Sequence, residues 1–409
     1  MVKIVIDHAL ETLKAIRRSG RLTRQDIAKE LNISLSLATK VTSELIAHGL
    51  VLGTGKVGVS ASGRPADWLA LVPNAAYAVG LDIGDQQQVA VVTNLLGDVV
   101  AHVVEPALVT DKRDAIIANL QTLVDRVLAG AGLARREIAG LGVGLADMVD
   151  PVERISYGWP DTPGWSAAWT DFAVGQALDK SFDVPHRLVD DIVRALGLAE
   201  ARYGQHGPSS DFAFVLADSG VGMALVLDGL PYIGHSRIAG EIAHLQIDPA
   251  GQMCSCGNRG CLQTVTGTSA LLALIAERLA ESPIRSSLRG ATEPVTAEAV
   301  IAAAQQGDKL AQQTLSDIGE PLGRALAMVV NLLGPAALVL GGALASSPEF
   351  VDATRRAMQA NSLSVAGRRV ELKTSQLGRD AGARGAATRV LDALFSERGP
   401  NLLSFPSRR

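Results

Sequence analysis

The sequence predicts an α/β protein in two parts, a small helical module with a glycine-rich hairpin at the N-terminus followed by a two-lobed α/β domain. Three observations lead there. The first 70 residues hold three capped helical patterns; from Tyr77 short apolar strands alternate with glycine turns; and the strand-turn-strand block opening at Tyr77 is met again at Phe212. A length of 409 residues accommodates two or three domains, each able to bury its own core. Aromatic residues make up only 4%, while small and aliphatic ones are plentiful, which suits helices packed closely on sheets.

In the N-terminal module, Ile6, Leu10, Leu13 and Ile16 recur at helical spacing from Ile6 to Arg18, and the basic end at Arg17 and Arg18 complements a helix C-terminus. Thr23 is placed to cap a second helix, Arg24 to Leu31, by accepting from an orphan backbone N–H. Asn32-Ile33 makes a tight turn, and Ser34 caps a third helix running to about His48. Ile33, Ala38, Val41 and Leu45 point inward on it. Ser34, Ser36, Thr39, Lys40 and Ser43 are left outward, small polar or cationic groups of the kind that enter a major groove without burying unpaired bulk. The hairpin Val51 to Pro65, carrying Lys56 and Arg64, reads as a wing that touches phosphate or minor groove. These features predict a winged helix-turn-helix that binds double-stranded DNA. One such module reads few base pairs, so specificity calls for at least a dimer on a two-fold operator.

Charge places the DNA contact in the same segment. The net charge is −4, but residues 1–70 carry ten Lys/Arg against six Asp/Glu, so the first 70 residues stand at +4 and the remainder at −8. No basic-then-apolar leader opens the chain, and a cytoplasmic location is expected. The longest apolar run, Ala325 to Ala345, is broken by Asn331 and Gly334-Pro335, so it is read as a buried helix and strand and no membrane partner is expected.

The second part begins with strands Tyr77 to Asp82, Gln88 to Thr93 and Val99 to Val104, then a helix around Ala115 to Leu128 and a strand Ile138 to Val143. A second block has Phe212 to Ala217, the turn Asp218-Ser-Gly-Val-Gly222, and Met223 to Leu227. Two blocks, each with an Asp and a glycine turn, suggest similar lobes around a cleft, the arrangement of actin-like ATPase folds. Such turns bring backbone N–H groups close to phosphate.

The three cysteines fall in one short segment, Cys254-Ser-Cys256-Gly-Asn-Arg-Gly-Cys261, ten residues after His244. Three thiolates and one imidazole complete a tetrahedral Zn²⁺ shell with no open position, so a closed, structural zinc site is expected, in keeping with a reducing cytosol.

These landmarks resemble the ROK family (repressors, open reading frames, kinases). The wing ending Gly63-Arg64-Pro65 precedes Gly80-Leu-Asp-Ile-Gly84, Asp218-Ser-Gly-Val-Gly222 resembles its second phosphate loop, and Asn331-Leu-Leu-Gly-Pro335 with Val339-Leu-Gly-Gly342 resembles its adenosine-side segment. The His/Cys motif is the most specific of them. The likeness is to the repressor branch, with xylose and N-acetylglucosamine repressors. It implies a winged helix-turn-helix over 1–72, an actin-like (ribonuclease H-like) ROK domain of two lobes over 73–395 with the zinc motif at 244–261, and a tail over 396–409. By the same likeness the chain is a homodimeric or homotetrameric repressor of carbohydrate-related genes that senses a sugar or related metabolite. Asp191, Glu241, His244 and Gln263 are its implied effector contacts.

The chain also departs from the kinases of that family. Sugar phosphorylation needs a carboxylate to take the proton of the attacking hydroxyl. The family places it eight residues before a helical Glu, and counting back from Glu200 lands on Ile192. A one-residue shift would return Asp191 to that place, and the apolar phase of the helix argues against the shift. Gly84-Asp85-Gln86 adds negative charge where ATP phosphates would sit, and Gln263 stands where the family has a Glu that binds sugar. No enzyme activity is therefore expected; the alternative is a bifunctional ATP-dependent sugar kinase with a DNA reader. Trp159, Trp165 and Trp169, ahead of the ligand-site strand, serve either as a sugar-stacking face or as core.

Overall fold

The computed structural model describes residues 3–56, 67–158, 167–205, 211–290, 293–396 and 402. Helices α1 (Lys3–Ser19), α2 (Arg24–Glu30) and α3 (Leu35–Ala47) pack around Leu13, Ile16, Ile27, Val41 and Leu45, all 1% exposed or less. Burial of each such side chain stabilises by about 1.5–3 kcal/mol. The expected caps are present: Thr23 and Asp26 form a reciprocal capping box, and the Ser34 hydroxyl accepts from the Leu37 N–H at 3.2 Å. Asn32 takes φ +52, the left-handed turn that separates α2 from α3. Strand β1 (Val51–Lys56) pairs antiparallel with β2 (Asp67–Leu71), forming the base of the hairpin. Arg64, Pro65 and the side chain of Ile6 lie outside the described residues.

The next elements in chain order are β3 (Tyr77–Ile83), β4 (Gln87–Asn94), β5 (Val99–Pro106), α4 (Arg113–Ala131), β6 (Ile138–Leu145), β7 (Val149–Asp150), β8 (Ile155–Ser156), α5 (Val174–Ser181), β9 (His186–Asp191) and α6 (Ile192–Tyr203). The second lobe has β10 (Phe212–Ala217), β11 (Val221–Leu227), β12 (Leu230–Pro231), α7 (Thr268–Glu281), α8 (Ala297–Gln305), α9 (Lys309–Leu333), β13 (Ala337–Gly341), α10 (Pro348–Asn361), α11 (Ser364–Gly367) and β14 (Glu371–Thr374). Helix α12 (Ala381–Leu394) then returns to the first lobe.

Two five-stranded sheets have one topology, β5-β4-β3-β6-β9 and β12-β11-β10-β13-β14. In each, the first three strands are antiparallel and the last two parallel, so the two lobes suggested by the repeated block are present. The second glycine turn is shorter than expected. Ala217 pairs with Val221, so β11 begins two residues early and Asp218 to Gly220 alone form the turn, closed by Asp218 N–H donating to Gly220 O at 2.9 Å.

Helix α12 joins everything. It lies on β3 and β6 and against α6. A Cβ at Gly142 would come 2.0 Å from Ala386 O, and one at Gly80 1.8 Å from Ala383 O, so helix and sheet touch backbone to backbone. Beyond this contact, Val390, Leu391, Leu394, Phe395 and the tail residue Leu402 share one apolar cluster with Leu13 and Ile16 of α1. The N-terminal module is thus seated on the helix that also supports the cleft. Trp169 is 5% exposed and packs beside Phe172 in the first-lobe core, which makes it core; Trp159 and Trp165 lie outside the described residues. The apolar run at Ala325 resolves into the end of α9, a turn at Gly334, and buried β13, and among the described residues no helix is long and apolar enough to cross a membrane.

Candidate DNA-reading face, metal cluster and ligand cleft

Ser34, Ser36, Thr39, Lys40 and Ser43 are all exposed on one side of α3, opposite buried Ala38, Val41, Thr42 and Leu45. Thr42 is spent on structure: it accepts from Arg24 Nε at 3.1 Å and ties α2 to α3. The Ser34 oxygen serves the cap, and the Thr39 hydroxyl donates to Leu35 O at 2.7 Å, which leaves its methyl and its acceptor outward. Lys56 ends β1, at the base of the hairpin, and its side chain, like Arg64, lies outside the described residues. This surface presents hydroxyls and a cation on a helix flanked by a wing, the chemistry that base edges and phosphates accept.

The four metal-ligand candidates converge. One ligand atom each of His244, Cys254, Cys256 and Cys261 lie within 4.8 Å of one another. Cys254 Sγ is 3.6 Å from His244 Nδ1, and Cys256 Sγ is 3.6 Å from Cys261 Sγ. Ligands about 2.0–2.3 Å from a tetrahedral Zn²⁺ stand about 3.6–3.8 Å apart, so the donor set fits such an ion. Burial, then the neighbouring thiols Cys256 and Cys254, push the Cys261 thiol up to about 12, a repulsion that a dication would reverse. Local folding brings the ligands together. The Cys254 N–H donates to Asn258 O, Gln246 bridges to Cys261, and Gly240 at φ +110 lets the strand of chain before His244 pass Met223 O, which a Cβ would approach to 2.0 Å.

In the cleft, Asp191 N-caps α6, its Oδ1 accepting from Val193 N–H. Burial and then the Asp191 charge push the Glu241 carboxyl up to about 7, and burial pushes Asp191 up to about 6 against the pull of Arg194. Asp191 from the first lobe and Glu241 from the second therefore share one site, with Asp147 a further charge felt by Glu241. Ile192 does not belong to it. This residue is 6% exposed and packs with Ala195 and Ala386, its Cδ1 pressed toward Gly144 and Gly382. The first helical residue thus turns into the α6–α12 contact, while Asp191 caps the helix beside it. Gln263 props the second glycine turn, its Oε1 accepting from the Val221 N–H at 2.9 Å.

Sequence reasoning missed the cations around this site. Arg194 is 1% exposed, donating to Asp190 Oδ1 and Val149 O, each at 2.6 Å. Arg389 of α12 faces the other Asp190 oxygen at 3.4 Å. A lone Arg on the otherwise apolar face of α6 was the available signal. On the glycine-turn side, Asp82 is pushed up to about 7 by burial, Asp218 and Asp85, and Asp218 is raised by burial despite N–H donors from Ala343 and Ser219. Carboxylates thus crowd the glycine-turn side of the cleft.

A winged helix docked on a two-lobed, actin-like α/β domain with a Cys₃His cluster defines the class of protein. The chain belongs to the ROK family, whose profile matches residues 78–393, and a profile described as winged helix-turn-helix DNA-binding matches residues 7–51. It is 26% identical over 388 residues to the DNA-binding transcriptional repressor Mlc of Escherichia coli strain K12, covering 94% of this chain and 92% of Mlc. It is 23% identical over 390 residues to the xylose repressor of Caldicellulosiruptor bescii, covering 95% and 96%. Among solved structures it is similar to a ROK family transcriptional regulator described as a homolog of the E. coli MLC protein, with a TM-score of 0.79, 26% identity and 96% of each chain covered.

Proposed function

We propose that this protein is a cytoplasmic DNA-binding transcriptional repressor of carbohydrate-related genes, working as a homodimer or homotetramer. In this reading residues 1–72 bind the operator through Ser34, Ser36, Thr39, Lys40, Ser43, Lys56 and Arg64, residues 73–395 bind a sugar or sugar derivative at Asp191 and Glu241, and 396–409 form a tail. The repressors to which the chain is similar over nearly all its length support it. The observation that carries it is the docking of α1 on α12, since α12 also holds Asp190 beside the ligand-site Asp191. A sugar bound more tightly by one lobe arrangement than another would move α12 and the reader seated on it; equal affinity for both would move nothing. His244, Cys254, Cys256 and Cys261 hold Zn²⁺ as a closed structural ion that fixes the segment after Glu241, and His244 and Gln263 line the sugar pocket from that side.

The domain performs no phosphorylation in this reading, and the reason is the glycine-turn side of the cleft rather than Ile192. Asp85 beside Asp82 and Asp218 opposes ATP phosphates, whereas Asp191 leaves a carboxylate near a sugar. That carboxylate keeps the bifunctional sugar kinase as a second reading. Selection of bound sequences from a random DNA pool, followed by titration of pentoses and hexoses over the selected complex, is the test. A two-fold-symmetric site released or tightened by one sugar is expected, and failure to enrich any sequence would overturn the proposal. ADP formation with ATP and the binding sugar would favour the second reading.

A further inference from the structure

We propose that Arg237 is a bar across the mouth of the ligand cleft that restricts the ligand to a single sugar unit. The proposal rests on the sugar-sensing reading above. Arg237 stands in the second lobe, on the segment after β12 and four residues before Glu241. Its Nη1 donates to Asp150 Oδ2 at 3.1 Å and to Glu153 Oε1 at 3.0 Å, both on the first-lobe segment formed by β7 and the turn after it. Asp150 is 7% exposed at its side chain, and its Oδ1 accepts from the N–H groups of Val152 and Glu153 at 2.8 and 2.9 Å, which fixes the carboxylate that Arg237 meets.

The backbone under the bar supports a specific role. Arg237 sits at φ +66, in the left-handed region that residues with a Cβ seldom adopt. A glycine would sit there without strain, so the side chain is held against the preference of its own backbone. What the arginine adds is the reach to the other lobe. The first-lobe segment reaches the ligand site: Val149 O, one residue before Asp150, accepts from Arg194, which also donates to Asp190 beside Asp191. In this proposal the guanidinium joining the segments stands where a second ring, linked to one held at Asp191 and Glu241, would extend; the Arg237 side chain is 34% exposed and that of Asp150 7%.

The test uses the full chain and its Arg237→Gly variant, which removes the bar and relaxes the backbone. Hydrogen exchange without ligand reads the bar: amides of 147–153 and 234–241 should exchange at least threefold faster in the variant, with Glu153→Gln intermediate. Calorimetry with glucose, xylose and N-acetylglucosamine, and with maltose, cellobiose, xylobiose and chitobiose, reads the size limit. The wild type should take a monosaccharide and reject its dimer, and the variant should bind both within tenfold. Unchanged exchange overturns the bar whatever the sugars do, and a wild type that binds dimers as tightly as monomers overturns the size limit. If no sugar binds either protein while exchange rises as expected, the bar stands and the sugar-sensing reading is what has failed.

Discussion

The strongest prediction concerns the seat of the DNA reader. Arg17, at the end of α1, pairs with Asp392 of α12 at 2.7 Å, and its guanidinium lies over the Phe395 ring at 4.4 Å. The two charged side chains are 24% and 22% exposed, between a surface pair and a buried one, so the pair is assigned about 1 kcal/mol. The cation over the ring adds about 0.5–1 kcal/mol. Arg17→Gln therefore weakens docking by about 2 kcal/mol, roughly a 30-fold rise in the undocked fraction. Hydrogen exchange at α1 and α12 amides, together with operator affinity measured with and without the effector, checks it. Exchange in both helices should rise and the response to effector should shrink, while Lys40→Ala should weaken DNA binding and leave exchange alone. A double-mutant cycle with Asp392→Asn isolates the pair. A coupling under about 0.3 kcal/mol with unchanged exchange would show that α12 does not hold the reader, and the transmission route would fall with it.

Three further outcomes are expected. The purified protein should carry one zinc per chain by elemental analysis, Co²⁺ should replace it with a tetrahedral visible spectrum, and Cys256→Ser should lose both the metal and thermal stability. Gly142→Ala should destabilise by about 3 kcal/mol or more in denaturant titration, because its methyl meets the Ala386 carbonyl and α12 must lift from β6. The Glu241, Asp82 and Asp191 carboxyls titrate higher folded than unfolded, at about 7, 7 and 6, so the folded state binds more protons between pH 5 and 7.5 and stability should fall as pH rises through that window. Glu241→Gln should flatten that part of the melting-temperature profile; an unchanged slope would mean that Glu241 does not carry it.

Local signals made the N-terminal module readable. Caps at Thr23 and Ser34, the turn at Asn32 and the apolar spacing of α3 act within one or two turns of chain, so residue order alone places Ser36, Lys40 and Ser43 outward. The metal cluster was readable for a related reason, since the three thiolates and one imidazole lie within 18 residues and their chemistry names the ion class. The ligand site was only half readable. Asp191 and Glu241 were named through the family resemblance alone, and which of Asp190, Asp191 and Ile192 turns into the α6–α12 contact depends on how α6 rolls against α12.

That division has one physical cause. Periodicity, capping and ligand spacing are properties of neighbouring residues, and they were sufficient for the module, the lobes and the Cys₃His cluster. The pairing of Arg194 and Arg389 on Asp190, of Arg237 on Asp150, and of Arg17 on Asp392 joins residues 4, 199, 87 and 375 positions apart. Three of those four pairs form only once two lobes and a helix have packed. The chemistry of the parts was therefore set by the order of residues, whereas their coupling was decided by backbone contacts at Gly80 and Gly142 that let α12 settle between the DNA reader and the cleft.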